Sequence, residues 1–212
     1  MDETKLLKTG TTTVGVVCKD GIVLGADRKV TLGGMIVSNK KFEKVIILNE
    51  DLAVTVAGLV SDVQLLVKLI KAQIKLDEFR RNRKIRVKEA ANLLSNLVYQ
   101  NVRKFSTIEG ITGFLLGGRD KEGLYLYQLG MDGSLTKFDD YVSDGSGMLF
   151  ATGVLEANFK DNMGIDDAVK LVVSALNASV QRDAASGAGC DVVLVTKDGT
   201  KKVYSKQLEY KL

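Results

Sequence analysis

The chemistry this chain offers begins at Gly10-Thr11, where a glycine precedes a threonine that opens the run Thr11-Thr12-Thr13-Val14-Gly15. Cutting the chain between them would leave Thr11 with a hydroxyl and a free α-amine in one residue, a nucleophile carrying its own base. A threonine hydroxyl is a poor nucleophile near neutral pH, but an α-amine with a reference pKa of about 7.7 to 8.0 can take its proton. Gly10 would equally serve to turn the chain into an edge strand, so the segment alone does not choose. Composition narrows the choice, because the chain contains no histidine. That removes Ser/His and Cys/His hydrolases, most zinc chemistry and histidine acid–base catalysis together. Any enzyme here must take its base from elsewhere. Cys18 and Cys190 have neither CxxC nor zinc spacing, so they are expected as small buried hydrophobes, with no disulfide, metal or cofactor.

The elements that must position Thr11 follow from periodicity. Thr12 to Cys18 and Ile22 to Ala26 are apolar, β-branched runs joined through Lys19-Asp20-Gly21, a strong hairpin signal. A third strand is expected over Val30 to Ser38, kinked at Gly33-Gly34, with further strands at Val45 to Leu48 and Leu52 to Ala57. The period then changes. With Ser61 as N-cap, apolar residues fall at Val63, Leu66, Ile70 and Ile74, beside a parallel row at Leu65, Leu69, Ala72 and Leu76, which is helical spacing. A second helix carries Val87, Ala90, Ala91, Leu94, Leu97, Val98, Val102 and Phe105. Strands return at Thr112 to Gly117, Leu124 to Leu129 and Leu135 to Val142 as a meander. A second helix pair is expected over Met148 to Phe159 and Asp166 to Ala184, and Asp191 to Thr196 with Lys202 to Ser205 makes a closing hairpin. Strands such as Val192-Val193-Leu194-Val195 are apolar throughout, so their sheets should be covered on both faces. The expected class is α+β, a four-layer αββα sandwich with two antiparallel sheets between two helix-pair layers.

A chain of 212 residues with 45% apolar content is long enough for one large core. Nothing in it reads as a linker, repeat or low-complexity tract. No apolar run approaches membrane-spanning length, and Asp2, Glu3, Lys5 and Lys8 occupy the place of a signal peptide's apolar centre. A cytoplasmic protein away from membranes is expected. The formal charge of +4 is mild, and the basic run Arg80 to Lys88 has no interleaved aromatics. It reads as a solvated or partner-facing helix connection rather than a nucleic-acid surface.

Thr11-Thr12-Thr13-Val14-Gly15, Gly25-Ala26-Asp27-Arg28, Thr55-Val56-Ala57-Gly58, Gly145-Ser146-Gly147, Gly153-Val154-Leu155-Glu156 and Gln181 to Gly187 together resemble the β subunits of 20S proteasomes. They come in that family's order, cover the chain from Thr11 onward, and lie closest to archaeal-type subunits with short propeptides. The resemblance implies residues 1–10 as a propeptide and 11–212 as a single catalytic domain of the N-terminal-nucleophile hydrolase type. It implies a threonine endopeptidase that cuts itself at Gly10-Thr11 and hydrolyses unfolded polypeptide. Its implied partners are α subunits and other β subunits, in two stacked heptameric β rings, with a regulatory ATPase acting indirectly.

By the same resemblance Asp27 pairs with a lysine that keeps the potential near Thr11 positive. Counting back from Ala57-Gly58 makes this Lys44, with a one-residue insertion within Ser38 to Glu43; Lys40 and Lys41 remain alternatives. Gly58 would offer its N–H to an oxyanion, Ser146 would bond near the Thr11 amine, and Asp183 and Ser186 would help orient Thr11 from a helix end capped by Gly187. Val30, Ile46 and Val56 would line an apolar pocket preferring large apolar residues, with Lys29 close beside it. A non-catalytic structural β subunit should lack Thr11, the lysine or Asp27. Another N-terminal-nucleophile amidohydrolase, or the related bacterial two-ring peptidase, should lack the Asp183 to Gly187 ending.

Overall fold

The computed structural model describes residues 10–33, 35–108 and 110–208. The expected propeptide therefore lies outside the described residues apart from Gly10, as does Gly34 of the expected kink. The first hairpin forms as its Asp-Gly turn dictates: β1 (Thr13–Cys18) pairs antiparallel with β2 (Gly21–Asp27), with Cys18 opposite Gly21. The single bent strand expected over Val30 to Ser38 is instead two, β3 (Val30–Leu32) and β4 (Ile36–Asn39), which pair as their own small sheet. Gly33 adopts φ +59, a left-handed conformation that reverses the chain rather than bending it. β5 (Val45–Ile47) and β6 (Leu52–Gly58) follow.

The first helix, α1, spans Val60–Arg81 with Leu59 as its N-cap. Ser61 lies inside its first turn, so the expected serine cap is not used. Only one of the two apolar rows faces the protein: Val63, Leu66, Ile70 and Ile74 are buried, whereas Leu65, Leu69 and Leu76 are exposed. The second, α2, spans Val87–Arg103, and Phe105 falls beyond it and is fully exposed. β7 (Thr112–Asp120), β8 (Gly123–Leu129) and β9 (Leu135–Phe138) complete a sheet of order β5-β6-β7-β8-β9. The run expected as one strand to Val142 breaks at Asp139-Asp140, and β10 (Tyr141–Asp144) crosses to pair with β1. After α3 (Met148–Asn158) and α4 (Ile165–Arg182), β11 (Gly189–Thr196) and β12 (Gly199–Gln207) complete the other sheet, of order β10-β1-β2-β11-β12.

Strand alternation assigns the layers. On β2, Ile22, Leu24 and Ala26 join one apolar cluster while Val23 joins another. On β11, Val193 and Val195 go with the first, Val192 and Leu194 with the second. The cluster holding Ile22, Leu24, Ala53, Leu115 and Val193 lies between the sheets. A second packs β1, β2 and β11 against α3 and α4; the third packs β6, β7 and β8 against α1 and α2. Two five-stranded antiparallel sheets are thus covered inside by each other and outside by helix pairs, the αββα sandwich. Cys18 and Cys190 are both free and pack in the α3/α4 cluster. Burial, with the nearby Asp191 and Asp27 charges, pushes the Cys190 thiol up to about 11.

Antiparallel pairing brings distant stretches to one end. The start of β1 lies beside the ends of β2 and β10, through Thr13 opposite Ala26 and Asp144. In the other sheet the start of β5 lies beside the end of β6, Val45 opposite Thr55, and Gly58 is opposite Thr112. Residues placed just outside those strand ends therefore meet.

Candidate active site

Thr11 stands one residue before Thr12 and β1, buried at 4% exposure. Its hydroxyl donates to the Gly10 carbonyl (2.6 Å) and accepts from Lys44 Nζ (3.0 Å). Lys44 Nζ also donates to the Gly10 carbonyl (3.2 Å) and to Asp27 Oδ1 (2.8 Å), so all three ammonium protons are engaged. Lys40 and Lys41 make none of these contacts. Asp27, the last residue of β2, has no exposed surface. Its Oδ1 takes the Thr12 N–H as well as Lys44, and its Oδ2 takes the N–H groups of Lys29 and Gly187, each at 3.0 Å. Four donors fill the carboxylate, which is what a buried charge requires. Burial pushes the Lys44 ammonium below its usual range, with Asp27 acting against that shift and Lys29 adding to it.

The residues just past β10 and α4 approach from the other side. Ser146 Oγ accepts the Thr11 N–H (3.2 Å) and donates to Asp183 Oδ2 (2.6 Å). Ser186 Oγ also donates to Asp183 Oδ2 (2.6 Å), which leaves the Thr12 hydroxyl to donate to Ser186 (2.7 Å). Ser186 thus touches Thr12, and Asp183 reaches Thr11 through Ser146. Gly187 is not a helix cap as expected: α4 ends at Arg182, Asp183 is its C-cap, and Gly187 gives its N–H to Asp27 instead. Ala185, in this same segment, packs on Gly10 so closely that a Cβ there would sit 1.8 Å from the Ala185 Cβ.

Gly58 closes β6 with φ +121, and a Cβ on it would meet the Ile111 carbonyl oxygen at 2.0 Å. Its N–H can be placed by alternation along the strand. Val56 donates to the Lys44 carbonyl on the β5 side (2.9 Å), and Leu59 donates to Ile111 on the opposite side (2.9 Å). The Gly58 N–H therefore turns to the β5 side, beyond the first residue of that strand, where Thr11 and Lys44 lie.

A small apolar cleft adjoins Thr11, lined by Val30, Thr31, Phe42, Val56, Gly58, Val60 and Val63. Val30 and Val56 stand where expected, but Ile46 does not line it. Ile46, on β5, packs against the core under α1 and α2 as Phe42, Val56 and Val63 also do, but does not reach the cleft. Phe42 and Val60 take its place. Phe42 lies two residues before Lys44 on the same face of an extended chain, a placement visible in sequence only once the register there is known. Val60 and Val63 were missed because their three-residue spacing reads simply as buried helix face. Lys29 keeps out of the cleft, its ammonium donating to the carbonyls of Ala184 (2.5 Å) and Ser186 (3.3 Å).

The αββα sandwich, with a threonine hydroxyl at the end where both sheets open, defines the class as that of proteasome subunits. The chain belongs to the proteasome subunit family, its residues 7–195 matching that family. It is 41% identical over 194 residues to proteasome subunit beta 1 of Thermococcus gammatolerans, covering 92% of this chain and 93% of that one. It is 43% identical over 192 residues to proteasome subunit beta of Methanocorpusculum labreanum (91% and 88%). Its identity to proteasome subunit beta of Archaeoglobus fulgidus is 41% over 198 residues (93% and 90%). Among the described residues no helix is long and apolar enough to cross a membrane.

Proposed function

We propose that this chain is a threonine-type endopeptidase subunit of a 20S-type proteasome, synthesised as a precursor and cut by itself between Gly10 and Thr11. The observation that carries the reading is the Lys44 ammonium, within hydrogen-bond reach of the Thr11 hydroxyl, the Gly10 carbonyl and Asp27 at once. In the precursor, Thr11 Oγ adds to the Gly10 carbonyl carbon while Lys44 polarises its oxygen. The C–N bond breaks, the Oγ proton ends on the departing nitrogen, and an ester remains. Water then hydrolyses the ester and releases the leader as a carboxylate. Thr11 is left with a free amine beside Ser146 Oγ.

In turnover the same oxygen attacks a substrate carbonyl, and the Thr11 amine takes its proton and passes it to the leaving amine. Water then hydrolyses the resulting ester, which releases the carboxylate product and restores the Thr11 hydroxyl. The Gly58 N–H, at the mouth of a long helix whose N-terminus carries partial positive charge, stabilises the developing oxyanion. Ser146 holds the Thr11 nitrogen and Ser186 the Thr12 hydroxyl, with Asp183 accepting from both serines. Apolar side chains enter the cleft of Val30, Phe42, Val56 and Val60, with Phe42 limiting its depth. All of Thr11, Asp27 and Lys44 are present, which favours a catalytic over a purely structural subunit. Function in two stacked heptameric β rings between α subunits, fed by a regulatory ATPase in the cytoplasm, completes the proposal.

The direct test is intact-mass measurement alongside peptide hydrolysis after assembly. Active particles should contain chains starting at Thr11, and full-length chains in an actively hydrolysing sample would sink the free-amine mechanism. Gly10→Ala should leave most of the leader attached under conditions that fully process the parent, because its methyl cannot share space with Ala185; unchanged processing would refute that packing. Phe42→Ala should shift kcat/KM toward bulkier side chains before the scissile bond by about tenfold, read with a series of fluorogenic peptides. An unchanged series would mean that Phe42 does not limit the cleft.

A further inference from the structure

Asn101 is a polar residue in the last turn of α2, at 6% exposure and without a part in the site just described. Both ends of its amide are bonded. Nδ2 donates to Asp62 Oδ2 (3.0 Å), in the first turn of α1, and Oδ1 accepts from Lys104 Nζ (2.8 Å). Lys104 Nζ in turn lies 3.8 Å from Asp62 Oδ1. Gly110 packs against Asn101 so closely that a Cβ there would stand 2.4 Å from Nδ2 and 2.8 Å from the Asn101 backbone carbonyl oxygen. Asp62 follows Leu59 by three residues, and Gly110 directly precedes Ile111. Leu59 N–H and the Ile111 carbonyl are the two halves of the hydrogen bond that closes the turn after Gly58 (2.9 Å). One buried side chain therefore touches residues close in sequence to both partners of that bond.

We propose that Asn101 is a positioning residue for the Gly58 N–H, rigidly spacing the first turn of α1 from Gly110-Ile111. This rests on the reading of Gly58 as oxyanion donor. The Ile111 carbonyl takes the Leu59 N–H and touches the Gly58 α-carbon, so a shift of Ile111 or of the α1 start swings the Gly58 peptide. Hydrogen bonds weaken steeply as the donor angle closes. Loss of an oxyanion donor costs about 10² to 10³ in kcat, so a misaimed one should cost a fraction of that. Substrate binding, made by the cleft side chains and formed before charge develops, should be nearly untouched.

The test uses the assembled particle. In Asn101→Asp the new carboxylate faces Asp62, and kcat should fall about tenfold with KM within about twofold of the parent. A peptide aldehyde, which gains the Thr11 Oγ–carbon bond and becomes a hemiacetal with its oxygen at Gly58, should bind weaker by the same factor. The matching peptide alcohol, which forms no such bond, should bind as before. Asn101→Asp combined with Asp62→Asn restores a donor–acceptor pair and should restore kcat. An unchanged kcat, equal weakening of aldehyde and alcohol, or failure of the exchanged pair to rescue would overturn the proposal. Should Asn101→Asp not assemble, Lys104→Met removes only the half-exposed anchor. It should lower kcat two- to threefold at constant KM, and an unchanged kcat would overturn the proposal there too. A parent particle that binds aldehyde no tighter than alcohol would instead sink the underlying reading of Thr11 and Gly58.

Discussion

Thr11→Ala should keep the leader through Gly10 attached and reduce peptide hydrolysis to background, with assembly intact. Both losses follow from one atom, since in the proposed mechanism Oγ is the nucleophile for the chain's own bond and for substrate alike. The substitution removes a buried hydroxyl together with its hydrogen bonds to Lys44 and Gly10. Intact mass and a fluorogenic peptide report the two effects separately. Thr11→Ser, which keeps the oxygen, should process and turn over measurably. Processing of Thr11→Ala at the parent rate would mean that another group cuts the chain, and residual turnover well above background would remove Thr11 from the mechanism.

Lys44→Met should lower kcat by about 10³ or more, since the ammonium donates to Thr11 Oγ, the proposed nucleophile of both reactions. Lys44→Arg should not rescue, because the larger planar guanidinium cannot occupy a site 3% exposed. The stability effects should separate from the activity effects. Removing one partner of a buried pair strands the other, so Lys44→Met alone should lose about 3 kcal/mol in denaturant unfolding. Combining it with Asp27→Asn should recover most of that stability and none of the activity. Recovery of activity in the double variant would show that the pair is dispensable to the chemistry.

The pH dependence has a definite sign. Burial depresses the Lys44 pKa below its ordinary 10.5, so the folded state releases this proton more readily than the unfolded chain. Its stability contribution is therefore complete above 10.5 and is lost as pH falls through the depressed folded value. Activity needs the ammonium, so it should decline on the alkaline side before 10.5, while the contribution to stability is still rising. The acid limb should reflect protonation of the Thr11 amine, which must be neutral to take the Oγ proton. A rate profile flat from neutrality to 10.5 would contradict the role given to Lys44.

Much of this architecture is legible in residue order. The Asp-Gly turns, the apolar runs and the helical rows of Val63 to Ile74 and Val87 to Val98 place their elements because each signal is local. The errors arose where local signals were ambiguous. A glycine in a β-rich run signals either a bend or a reversal, and only the chosen φ of Gly33 separates them. Leu135 to Val142 looks continuous because a strand's period is unaltered when the chain leaves one sheet for another. Ser61 has a capping side chain, yet the first-turn position it occupies offers no cap geometry. α1 presents two apolar rows, and its own sequence carries no record of which one the sheet covers.

The same division runs through the site. Sequence by itself determined that an enzyme without histidine must find its base elsewhere, and it pointed to Gly10-Thr11 as a place where an amine and a hydroxyl could meet. Resemblance to the family, carried by six short motifs, singled out Asp27, Lys44, Gly58, Ser146, Asp183 and Ser186. Tertiary structure alone decided that Lys44, rather than Lys40 or Lys41, reaches the threonine, and that Ser186 holds Thr12. It decided too that Phe42 and Val60 line the cleft where Ile46 does not, and that Asn101 is buried between Asp62 and Gly110. The physical reason is range: turns and periodicity are set by neighbours along the chain, whereas hydrogen bonds and packing depend on which strand ends the sheets bring together.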